Sequence, residues 1–288
     1  MDAHRARRQA VKPPGAHLEL RDGTRLYHRL EGAAGAPPLV LLNGLLSELG
    51  LWNGAMPVLR SRFRVLRLDG RGQGRSDAPE GKAYTPGQGA EDLWELLQLL
   101  GLERPWLAGL SHGAHVALEL LVRHPGAFAG AVLVSAQPCV DLAMELRLRH
   151  WLHCLELGGP LLQFEAAAPE LWGQGFLERR YALLRAHHAS VMGGAPRPGE
   201  DPWRGLRRQV EGALAWDVRA RMASIQAPVL LLCGAEDPLA PPWKALACAQ
   251  RIRGSRLEVL PGIGHAFPVE DPRGFATRLL GFVDEVES

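Results

Sequence analysis

Lysine is scarce in this chain: Lys12, Lys82 and Lys244 are the only three among 33 basic residues. Positive charge therefore rests on arginine, and 31 acidic residues balance it to a net charge of +2. The arginines are spread along the sequence, so no concentrated basic face is available for a nucleic-acid backbone. Cysteine is also sparse, with residues 139, 154, 233 and 248 showing no C-x-x-C spacing. That excludes a disulfide scaffold and fits reduced, buried thiols in the cytoplasm. No stretch approaches 18 uninterrupted apolar residues, so no membrane span is expected. Residues 1–15 carry Arg5, Arg7, Arg8 and Lys12, but no apolar segment follows them. They are expected to form a disordered arm and not a secretory signal.

What is present is a chain of 288 residues, 47% hydrophobic and 22% charged. That suffices for a large core and excludes collagen-like and disordered chains. Ala16–Leu20 and Arg25–Leu30 flank Asp22-Gly23 and predict a β-hairpin. Short apolar runs follow at Leu39–Leu42, Arg64–Leu68, Trp106–Leu110, Ala131–Val134 and Val229–Leu232, with a further strand at Arg256–Leu260. Continuous apolar strands are buried on both faces, which predicts a central, mostly parallel sheet. Helical patterns at Glu91–Leu100, Ala114–Arg123, Trp243–Ile252 and Phe275–Val286 alternate with them. The fold class is α/β.

That alternation stops between Gln137 and Ile225. Helical patterns at Val140–Leu157, Leu177–His188 and Leu206–Asp217 fill this stretch, with four of the eight tryptophans. It reads as a helical insertion riding on the sheet.

Gly109-Leu110-Ser111-His112-Gly113 lies where a predicted strand gives way to a predicted helix. A G-x-S-x-G at such a junction is a nucleophile elbow: serine takes a strained conformation and the glycines relieve the crowding. Further motifs follow in a telling order. Asn43-Gly44 comes after the third strand, and Asp69-Gly70-Arg71-Gly72-Gln73-Gly74-Arg75-Ser76 after the fourth. Gly234-Ala235-Glu236-Asp237-Pro238 and Gly264-His265 come after the elbow. From about His17 to Val286 the chain resembles α/β-hydrolases of the esterase and 3-oxoadipate enol-lactonase type, least so in the insertion. The resemblance implies an eight-stranded, mostly parallel sheet flanked by helices. Residues 16–137 and 223–288 would form the core, and 138–222 a helical cap.

It also implies the chemistry. A serine hydroxyl needs a base within hydrogen-bond reach, and His265 is the candidate. A buried carboxylate must orient that imidazole, and Asp237 is the candidate, with its neighbour Glu236 the competing acid. Ser111, Asp237 and His265 stand in the chain order this fold uses. Oxyanion donors are expected at the His112 N–H, one residue past the nucleophile, and at the Leu45 N–H. The family places the second donor just after a His-Gly pair, and Asn43 departs from that pattern. Asn43, with Trp151 and Leu162 of the cap, is expected to bind or position the substrate. No cofactor or metal is called for.

The leading function implied is hydrolysis of a carboxylic ester or lactone through an acyl-serine. One alternative passes a (3-hydroxy)acyl group to another hydroxyl, since Asn-Gly also occurs in the family that joins 3-hydroxyacyl chains for rhamnolipid precursors. Another is a non-catalytic ligand receptor. The partner in each case is a small molecule. Haloalkane dehalogenation is disfavoured because its nucleophile is aspartate where this chain has Ser111. The turn from Asp69 to Ser76 lacks a phosphate-binding pattern and reads as structural. His150, His153, His187 and His188 lack a metal signature and read as surface or pocket-lining residues.

Overall fold

The computed structural model describes residues 15–45, 47–192, 201 and 203–288. The expected N-terminal arm, residues 1–15, lies outside them except for Gly15. The strands are β1 (Ala16–Glu19), β2 (Arg25–Glu31), β3 (Pro38–Leu42), β4 (Arg64–Leu68), β5 (Trp106–Leu110), β6 (Gly130–Val134), β7 (Val229–Gly234) and β8 (Arg256–Leu260). They form one eight-stranded sheet in the order β1-β2-β4-β3-β5-β6-β7-β8. The β1–β2 hairpin and the β2–β4 pair are antiparallel, and every other pair is parallel.

The helices are α1 (Met56–Leu59), α2 (Pro86–Leu100), α3 (His112–Arg123), α4 (Leu142–Leu171), α5 (Gln174–Met192), α6 (Arg204–Leu214), α7 (Pro242–Ala249), α8 (Phe267–Glu270) and α9 (Pro272–Glu287). All residues of β5 and β6 are buried, because helices cover both faces there. Alternation along β5 divides its side chains between two cores. Leu107 packs with Leu93 and Leu97 of α2 and with Leu118 and Leu121 of α3. Trp106, Ala108 and Leu110 pack with Phe275, Leu279 and Phe282 of α9 on the opposite face.

Helix α2 starts a turn and a half before the apolar periodicity does. Thr85 caps it by accepting the Gln88 N–H at 3.0 Å, and Pro86 follows as a compatible first residue. Gly101, at φ 61°, ends it in the left-handed conformation.

Between β6 and β7 the chain leaves the sheet and returns through a narrow neck. Val140 N–H donates to the Trp216 carbonyl and Val218 N–H to the Pro138 carbonyl, each at 3.0 Å. Helices α4, α5 and α6 lie beyond that neck. Asp141 caps α4 through the Met144 N–H at 2.9 Å. At Gly158-Gly159-Pro160, just past the predicted Val140–Leu157 helix, the helical conformation is interrupted. Gly159 turns to φ 71° and helical structure resumes at once. No described helix is long and apolar enough to cross a membrane.

Candidate active site

Ser111 stands between the last residue of β5 and the first of α3, at φ 54° and ψ −112°. Its N–H donates to the Val134 carbonyl at 2.9 Å, and its carbonyl accepts from Ala114 and His115 as the helix begins. The flanking glycines answer to close packing. A Cβ on Gly109 would lie 2.5 Å from the Gly113 carbonyl, and one on Gly113 would lie 2.2 Å from the Leu42 carbonyl. The sharp turn leaves Ser111 partly exposed at the C-terminal edge of the sheet.

Asp237 and His265 follow β7 and β8 at that same edge. The His265 Nδ1–H lies 2.9 and 3.0 Å from the two Asp237 carboxylate oxygens. Both residues are buried. Burial alone would push the Asp237 carboxyl up, but the adjacent His265 imidazole and the Ala240 N–H outweigh it. The carboxyl is held below its usual range, so an anion faces the imidazole. Nδ1 is thereby committed to Asp237, which leaves Nε2 as the nitrogen free to take a proton.

Glu236 does something else. It is exposed and accepts the Gln174 N–H at the start of α5, at 2.8 Å. Glu270 acts beside it, accepting the Gly264 N–H at 3.0 Å and the Gly173 N–H at 3.2 Å. Burial pushes the Glu270 carboxyl up. Ala266 N–H also donates to the Leu171 carbonyl at 3.0 Å. The loop bearing His265 is thus tied on both sides to the α4–α5 junction. Nothing in the sequence around Glu270 announced this role.

The loop after β3 approaches the elbow closely, since a Cβ on Gly44 would lie 3.7 Å from the Ser111 Cβ. Asn43 has its side chain turned inward. Its Nδ2 donates to the Leu68 carbonyl at 2.8 Å and to Gln73 Oε1 at 3.3 Å, while Oδ1 accepts the Trp52 indole N–H at 3.0 Å. Gln73 Nε2 then donates to the Gly44 carbonyl at 2.9 Å. These bonds use the amide on protein partners, so Asn43 braces the loop carrying Leu45. Asp69 accepts the Leu49 and Arg75 N–H groups at 2.7 and 3.1 Å, which gives its Gly-rich turn a structural task.

His112 opens α3, where first-turn N–H groups lack partners within the helix. Its ring is buried, and its carbon-rich surroundings pull its pKa down to about 4. His115, one turn on, is also held well below the ordinary value by burial and stacks on Trp216 at 4.1 Å. Both imidazoles are neutral at pH 7.

Trp151 packs with Met144, Leu148, Ala167, Val210 and Leu239, and Leu45 lies against this cluster. Leu239 is two residues past Asp237, so the cluster joins the helical segment to loops beside Ser111. Leu162 does not belong to it. That side chain is 40% exposed and packs against Gly158. His150 lies 3.6 Å from the Cys154 sulfur, and His188 binds the Pro160 carbonyl at 3.0 Å. The His187 side chain is outside the described residues. Among those residues, no group of three His, Cys, Asp or Glu is arranged to hold a metal ion.

Comparisons with known proteins bear on the family and the fold. The profile of the alpha/beta hydrolase fold matches residues 37–272. A relative from Pseudomonas savastanoi pv. phaseolicola, named "Putative carbamate hydrolase RutD", is 31% identical over 90% of this chain and 99% of its own. The crystal structure of a hydrolase from Pseudomonas aeruginosa PA01 superimposes with a TM-score of 0.83 at 29% identity, over 94% of this chain and 98% of that one. The enol-lactonase from Burkholderia xenovorans LB400 gives 0.80 at 26% identity, over 93% and 100%. An eight-stranded sheet with a serine elbow, matched by that profile over most of its length, belongs to a hydrolase of the alpha/beta hydrolase fold family.

Proposed function

We propose that this hydrolase cleaves a carboxylic ester or lactone through an acyl-serine intermediate at Ser111. The observation carrying the reading is the pairing of His265 with a buried, anionic Asp237 at the sheet edge where the strained Ser111 emerges. Ser111 Oγ attacks the carbonyl carbon while His265 Nε2 takes its proton. The oxyanion is held by the N–H groups of His112 and Leu45, a contribution of about 100- to 1000-fold in rate. His265 returns the proton to the leaving alkoxide, or to the ring-opened hydroxyl of a lactone. Water deprotonated by His265 then attacks the acyl-enzyme, and Ser111 is released. Asp237 orients the imidazole and stabilises its protonated form.

Residues 138–222 act as a cap over this site. The apolar cluster around Trp151 and Leu239 supports an uncharged, apolar acyl or alcohol group as the part enclosed. The protein works on small molecules in the cytoplasm, consistent with four free cysteines. The test is steady-state kinetics with p-nitrophenyl esters from acetate to decanoate, with lactones, carbamates and 3-hydroxyacyl thioesters alongside. Wild-type turnover that survives in Ser111→Ala would refute the reading. Preferential transfer to an added hydroxyacyl acceptor over water would replace it with acyl transfer. Binding without turnover would indicate a receptor.

A further inference from the structure

A second serine repeats the backbone strain of Ser111. Among the described residues only Arg104, Ser111 and Ser135 are non-glycines at positive φ, and Ser111 and Ser135 share the value 54°. Arg104 lies on an exposed turn, whereas Ser135 is 1% exposed and follows the last residue of β6. The two serines directly follow neighbouring strands, β5 and β6. Ser111 N–H binds Val134, the residue before Ser135, and Ser135 N–H binds Leu232 of β7 at 2.9 Å. Left-handed backbone is unfavourable for any side chain, and glycine would adopt it freely. A buried serine held there needs a use for its hydroxyl.

That use is visible in the contacts. Ser135 Oγ donates to the main-chain carbonyl of His265 at 2.8 Å, across 130 residues of sequence. The His265 loop contains Gly262 at φ 71° and Gly264, so its own conformational preference is weak. Glu270 and the Leu171 carbonyl hold the residues on either side, and Ser135 holds His265 itself.

We propose that Ser135 is a positioning residue of the hydrolytic site, its hydroxyl fixing the His265 main chain so that the imidazole stays aligned between Asp237 and Ser111. The proposal rests on the acyl-serine reading above.

Two variants test it on the full chain with a p-nitrophenyl ester. Ser135→Gly removes the hydroxyl and the strain, while Ser135→Ala removes only the hydroxyl. Both should lower kcat by about tenfold with KM changed less than about twofold, as expected for one lost hydrogen bond felt in the transition state. Ser135→Gly should melt above Ser135→Ala, because only alanine is strained there. Wild-type kcat in Ser135→Gly would overturn the proposal. So would activity that tracks melting temperature across the pair, since that is the behaviour of a merely structural residue. Fluorophosphonate labelling of wild-type protein separates this failure from that of the underlying reading. An unlabelled Ser111 overturns both, whereas a labelled Ser111 with undiminished Ser135 variants overturns the proposal alone.

Discussion

Replacing Asn43 with alanine should weaken the fold and the catalytic step together, because one buried amide serves three neighbours. The Trp52 indole is fully buried and donates to Asn43 Oδ1, and the Leu68 carbonyl accepts from Nδ2. A buried polar group left unpaired costs about 1–3 kcal/mol, so the two together cost about 2–6 kcal/mol. For a chain of this size that corresponds to a melting temperature lower by roughly 5–15 °C. Loss of the brace also removes one of the two bonds to Gln73 Oε1, and Gln73 holds the Gly44 carbonyl beside Leu45. In the proposed oxyanion hole the Leu45 N–H is most needed once the oxyanion forms, so kcat should fall by about tenfold and KM should rise less. Calorimetry and steady-state ester hydrolysis on the same preparation read both effects. Asn43→His, which keeps one donor and one acceptor when neutral, should retain a substantial part of the activity. An Asn43→Ala protein that melts within about 2 °C of wild type and keeps its kcat would refute the reasoning.

The two neighbouring acids should separate cleanly: Asp237→Asn should lower kcat by about 100- to 10,000-fold, and Glu236→Gln by less than about threefold. If Glu236→Gln is the more damaging of the two, the orienting acid has been misassigned. His112 should make stability depend on pH. Its pKa of about 4 in the fold lies below the ordinary 6.5, so the unfolded chain binds a proton that the native state refuses. The contribution is complete above pH 6.5 and is lost as pH falls to about 4, a change of about 3 kcal/mol. Urea unfolding at pH 7 and pH 4.5 should therefore show a steeper loss for wild type than for His112→Leu, and parallel losses would refute the assignment. Trp151→Ala should shift chain-length preference among p-nitrophenyl esters at a stability cost of about 3–5 kcal/mol. Equal loss on every ester would mean that Trp151 only holds the cap together.

The sheet was legible because its central strands are short apolar runs, and burial on both faces requires such runs in β3, β5, β6 and β7. Arg64–Leu68, Trp106–Leu110 and Arg256–Leu260 form strands with the bounds their patterns predict. The start of α2 was hidden by Pro86, Gly87 and Gly89, which look like loop residues. Gly87 and Gly89 in fact make room for Arg123 and Val116 of α3. Short helices such as Phe267–Glu270 are too brief to show a period. The orientation of α4 was obscured for a different reason. Leu142, Leu146 and Leu157 are exposed while Leu148 and Leu155 are buried, so leucine on this helix does not identify a face. Leu162 was expected to line the substrate pocket on that ground, and its side chain is 40% exposed. The proposed Ser111, Asp237 and His265 rest on local motif and order, whereas the contacts of Ser135 and Glu270 span 130 and 97 residues of sequence, to His265 and Gly173 respectively. No local pattern carries that information.

The central claim is that Ser111 carries the acyl group during turnover. Quenching the reaction with a slow p-nitrophenyl ester in acid and mapping the trapped adduct by peptide mass spectrometry tests it most directly. The account predicts one acyl group per chain, on Ser111, in wild type and at a higher level in His265→Ala supplied with an activated ester, where water attack lacks its base. Turnover with no adduct, or an adduct on any other residue, would contradict it.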